Sequence, residues 1–106
     1  MFPIDSVRVL ISFVSGLVSG QGAKDWRQAA DAAIEIIRFG LKQIGDDEPL
    51  VANLYSDEKV LEVLKEIEES YESNQIMALN WVTLVPMFYD LIMDILKRRR
   101  GEKPAS

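Results

Sequence analysis

The chain contains no cysteine and no histidine among its 106 residues. Without cysteine there are no disulfide staples, no thiolate metal sites and no Cys nucleophile. Without histidine the commonest general base, the commonest metal ligand and the usual pH switch are gone as well. Proline is sparse at four residues and glycine at six, so long regular segments meet few interruptions. No uncharged run reaches the roughly 20 apolar residues that a membrane-spanning helix needs. The N-terminal apolar stretch from Val7 to Val18 is broken by Ser and Gly, and Asp5 precedes it without a Lys, which is not the pattern of a secretory leader. Together these absences set the expectation of a non-enzymatic cytoplasmic protein with no cofactor and no metal.

Hydrophobic residues make up 48% of the chain, which excludes disorder as its main state. The length suits one domain and not two. The expected division is a single helical domain over 1–100 and a flexible tail over 101–106. Formal net charge is −5, unevenly spread. Residues 97–103 (KRRRGEK) hold five bases and one acid, a net of +4, which leaves about −9 on the first 96. An acidic body disfavours nucleic acid as a partner for the domain as a whole.

Apolar periodicity near 3.6 residues predicts four main helices, so the expected fold is an all-α bundle with a short extra helix in the 45–56 connection. The first helix is expected from Asp5 to Ser19, ended by Gly20 and Gly22. Val7, Leu10, Ile11, Phe13, Val14, Leu17 and Val18 cover well over half of its wheel. Such a helix belongs at the centre of a bundle or under a partner. The second is expected from Ala23 to Ile44, with Trp26, Ala30, Ala33, Ile37, Leu41 and Ile44 as its stripe, Ala29, Ile36 and Gly40 beside it, and Gly45 as a C-terminal cap. Small residues at 29, 30, 33 and 40 should admit a close neighbour, most simply the first helix. Asp46-Asp47-Glu48-Pro49 reads as the start of a short helix over 48–55.

The third helix is expected from Asp57 to Ser73, capped by Ser56, with Val60, Leu64, Ile67 and Tyr71 as its stripe and Val63 and Leu61 flanking it. The fourth is expected from Gln75 to Arg99, with Trp81, Leu84, Val85, Phe88, Leu91, Ile92, Ile95 and Leu96 on one face. Asn80, Thr83, Asp90, Asp94 and Lys97 fall on the other. Pro86 should kink or break it near 82–86, since it removes a backbone hydrogen bond and crowds the preceding turn. The predicted core is Leu10, Val14, Leu17, Ala33, Ile37, Leu64, Ile67, Leu84, Phe88, Leu91 and Ile95.

No residue pattern points to a reaction. The acids at 46–48 lack the alternating oxygen ligands and turn glycine of a calcium loop and read as helix capping. Glu62, Glu66 and Glu69 stack on the third helix opposite its apolar stripe and read as a solvated face, since di-metal bundle sites pair Glu with His. Asp90 and Asp94 read as a surface pair.

Excess apolar surface is the most informative feature. Val9, Phe13, Phe39, Val82, Tyr89 and Met93 are the residues expected at an interface, because a lone four-helix bundle buries only a stripe of each helix. The expected function is a helical interaction module that self-associates or docks a protein partner through the first and last helices. The alternative is a peripheral membrane protein using the apolar last helix and the basic patch Lys97, Arg98, Arg99 and Arg100. A third reading gives that patch phosphate contacts with nucleic acid, against the charge of the body.

Overall fold

A computed structural model describes residues 1–21, 25–46 and 56–99. They form an all-α bundle of four helices: α1 Ile4–Val18, α2 Trp26–Ile44, α3 Asp57–Glu72 and α4 Trp81–Arg99. A short 3-10 turn at Ile76–Ala78 precedes α4. The expected short helix at 48–55 lies outside the described residues.

The helix ends are set by local chemistry. The Asp25 carboxylate accepts from the Gln28 N–H at 3.0 Å, so α2 starts at Trp26 and not at Ala23. The Ser56 hydroxyl accepts from the Lys59 N–H in the same way and starts α3 as predicted. Helix α1 closes with Gly20 at φ +78, whose N–H reaches Leu17 O while the Gln21 N–H reaches Gly16 O. That paired arrangement satisfies two orphan carbonyls and requires a left-handed residue, which glycine adopts at no steric cost.

Asn74 at φ +60 repeats the arrangement after α3, with Asn74 N–H on Tyr71 O and Gln75 N–H on Ser70 O. The chain therefore turns where the sequence suggested that the fourth helix begins. Ile76 buries its side chain, and its carbonyl accepts the Trp81 indole N–H at 3.2 Å. Helix α4 starts six residues later than expected, at Trp81, with the Asn80 carbonyl taking the Thr83 and Leu84 N–H groups. It runs unbroken through Pro86. The proline sits in the second turn, where one lost hydrogen bond does not end a helix whose apolar face is held by packing.

Ring contacts and ion pairs fix the helix directions. Phe2 meets Phe39 at 4.9 Å and Phe13 meets Trp26 at 5.0 Å, so α1 and α2 are antiparallel. Phe2 stacks on Tyr71, and Arg8 pairs with Glu68 at 3.1 Å, which sets α3 antiparallel to α1. Trp81 lies 5.3 Å from Phe39, and Arg98 pairs with Asp57, so α4 runs parallel to α1. Helices α2 and α3 run the other way, and α2 ends at the opposite end of the bundle from where α3 begins. Helix α1 packs on both α2 and α3, while α4 packs chiefly on α2.

This placement accounts for the wide apolar wheel of α1: Val7, Leu10, Phe13 and Val14 are buried because the helix has neighbours on two sides. Of the predicted core, Leu17 and Leu84 are only half-buried, and the other nine are buried. Fully buried residues such as Phe88, Leu64 and Leu91 each contribute about 1.5–3 kcal/mol by leaving water. The buried stripe of α2 is rotated from the expected one. It comprises Ala29, Ala32, Ala33, Ile36, Ile37, Gly40 and Ile44, with Leu41 exposed and Trp26 half-buried. The glycine in that stripe faces α4 and not α1. A Cβ on Gly40 would sit 2.6 Å from Val85 Cγ2 and 3.0 Å from the Trp81 ring.

Candidate interaction surface

The side chains with acid–base or metal-binding potential in this sequence are chiefly acidic. Asp94 is not on the surface as expected; it is 7% exposed, and its Oδ2 lies 2.9 Å from Arg98 Nε. One Arg98 terminal nitrogen also reaches both Asp57 oxygens, at 3.1 and 3.4 Å. The three side chains tie the end of α4 to the first turn of α3. Asp90 is exposed and takes no part. Glu62, Glu66 and Glu69 are exposed, and no group of three potential ligands is placed to hold a metal among the described residues.

The six residues expected at an interface divide into two sets. Phe13 is buried and packs edge-on against Trp26. Phe39 meets the Phe2 and Trp81 rings in T-shaped contacts, the geometry favoured by ring quadrupoles. Val9 and Val82 are half-buried against the core. Tyr89 and Met93 remain outside, at 48% and 53% exposure, one turn apart on α4. Sequence reasoning missed what collects Phe39. Phe2, Tyr71 and Trp81, from three separate segments, converge on one end of the bundle, and only the tertiary arrangement brings them there.

The basic patch divides too. Arg98 is turned into its two carboxylate partners, with its side chain 24% exposed. Lys97 is half-buried. The side chain of Arg99, and all of Arg100, lie outside the described residues.

A second feature had no signal in periodicity. Where α3 and α4 diverge, a cleft of ≈ 190 Å³ opens, lined by Val63, Glu66, Ile67, Leu79, Asn80, Thr83 and Leu84. Its lining is mixed, with Val63, Ile67, Leu79 and Leu84 apolar and Glu66, Asn80 and Thr83 polar. The Thr83 hydroxyl donates to the Asn80 carbonyl at 3.0 Å and so is already engaged. Leu79 and Asn80, from the turn before α4, line it together with the first residues of α4, whereas periodicity predicts helix there.

Among the described residues, no helix is long and apolar enough to cross a membrane. No family model matches the chain, and neither the curated proteins nor the solved structures contain one that it resembles.

Proposed function

We propose that the chain is a non-enzymatic helical interaction module that self-associates through the outer face of α4. The observation that carries this reading is the exposure of Tyr89 and Met93, one turn apart on a helix whose opposite face is built into the core. Half-buried Val82 lies on the same side two turns earlier. Tyrosine and methionine suit such a role, since one offers a rigid amphipathic ring and the other an adaptable thioether. On α1, the other expected surface, Val7, Leu10, Phe13 and Val14 are buried and Val9, Ile11 and Leu17 half-buried, with Val18 exposed at its end, so the reading narrows to α4, whose Tyr89 and Met93 are the more exposed.

Sedimentation equilibrium tests it. The wild-type chain should associate with rising concentration, and a Tyr89→Ser, Met93→Ser double variant should remain monomeric with unchanged helicity. A wild-type monomer at high micromolar concentration overturns self-association.

A further inference from the structure

The outer side of α4 carries one short pattern twice, with its charge inverted. Tyr89 and Asp90 are followed two turns later by Leu96 and Lys97, and Met93 lies between the two pairs. On a helix this spacing puts Tyr89 and Leu96 on one line and Asp90 and Lys97 on another beside it. Tyr89, Asp90 and Met93 are exposed, and Leu96 and Lys97 are half-buried. The other charges between Trp81 and Arg98 are Asp94 and Arg98, which pair with each other and, through Arg98, with Asp57 of α3. Asp90 and Lys97 make no ion pair among the described residues. Side-chain neighbours on a helix are three or four residues apart, so these two do not answer each other. An apolar strip is thus flanked on one side by an acid and a base, each without a partner among the described residues.

Helix orientation decides what such a pattern meets. In an antiparallel pair about a twofold axis, a flank of one helix faces the same flank of its mate in reverse order. Centred between Met93 and Asp94, that arrangement brings Asp90 against Lys97 of the second copy and Lys97 against its Asp90. Met93 then meets Met93 near the axis, and Tyr89 meets Leu96 on either side of it. In a parallel pair each flank faces the opposite flank of the mate, where half-buried Ile92 lies, and both charges stay unmatched. We propose that a second copy of the chain docks on α4 antiparallel, with Tyr89 on Leu96, Met93 on Met93, and two reciprocal Asp90–Lys97 ion pairs that fix the register. This rests on the self-association reading and adds the orientation and register that it leaves open. The apolar strip supplies the buried contact, and the flanking charges select the orientation. Such a contact uses the same face on both copies, so the assembly closes as a dimer.

Sedimentation equilibrium at low salt on two charge variants tests it. Asp90→Lys sets base against base at both pairs, and Lys97→Glu sets acid against acid. Each alone should weaken association about tenfold, since exposed attractive contacts become repulsive ones. An equimolar mixture of the two should restore it, because one copy then offers two bases and the other two acids. The chain has no cysteine, so single-Cys variants give an independent reading by disulfide crosslinking. Met93→Cys should crosslink at least about tenfold faster than Val82→Cys, whose two copies an antiparallel pair in this register holds about 35 Å apart. A wild-type dimer in which Val82→Cys crosslinks as fast as Met93→Cys overturns the antiparallel register and leaves self-association standing. So does a dimer that neither charge variant weakens, or one that their mixture fails to restore. A wild-type chain that stays monomeric at high micromolar concentration removes both readings.

Discussion

Helix α4 meets its two neighbours in opposite ways. Against α2 the contact is close, because Gly40 has no side chain and Val85 and Trp81 fill the space that one would occupy. Against α3 the contact is held at one end by the Asp57–Arg98–Asp94 ion cluster and is open at the other as a cleft. The difference teaches that a bundle can be rigid on one side of a helix and receptive on the other. The closed side places α4, and the side joined by charge at one end only leaves a cleft at the other.

The largest expected effect separates a leucine in the core from one at the cleft. Leu91 is fully buried, so Leu91→Ala should cost about 2–5 kcal/mol in urea unfolding. Leu84, half-buried at the cleft, should cost roughly 1 kcal/mol on the same substitution, since the slot is already open to water. Equal costs would mean that the cleft is closed in solution. Gly40→Ala comes next. Overpacking against Val85 and Trp81 costs about 1–3 kcal/mol, and alanine's better helix propensity returns about 1, for a net destabilisation of roughly 1 kcal/mol. A stabilised Gly40→Ala protein would show that α2 and α4 are not in close contact there. The smallest effect belongs to the ion cluster. Asp57 and Arg98 are partly exposed, at 17% and 24%, so a double-mutant cycle of Asp57→Asn with Arg98→Gln should give a coupling of only about 1 kcal/mol. A coupling near zero would leave α3 and α4 unjoined at both ends.

Much of this architecture was readable from the sequence, for identifiable reasons. Four stretches with 3.6-residue periodicity gave four helices, and Ser56 and Gly20 marked ends that hydrogen bonding confirms. Nine of the eleven expected core positions are buried, because long helices impose their stripes strongly. The start of α4 was not legible: Ile76, Met77 and Leu79 continue an apolar pattern, and only the left-handed Asn74 and the Trp81 indole bond to Ile76 interrupt it. Asp94 was misplaced because a wheel sees one helix, whereas its burial depends on Arg98 and on Asp57 from elsewhere in the chain. Of the interface residues, Phe13 and Phe39 could not be told from exposed aromatics without Trp26, Phe2 and Trp81 in place. The cleft follows from where a turn falls, and no residue pattern announces it.

The helix order has a kinetic consequence. Only α1 and α2 form a pair of sequence neighbours that pack closely; α3 returns to α1 and α4 returns to α2, each skipping one element. Two of the three principal helix pairs must therefore close loops of roughly forty residues before any contact rewards the closure. The chain should fold more slowly than an up-and-down bundle of the same length, whose successive helices dock as they form.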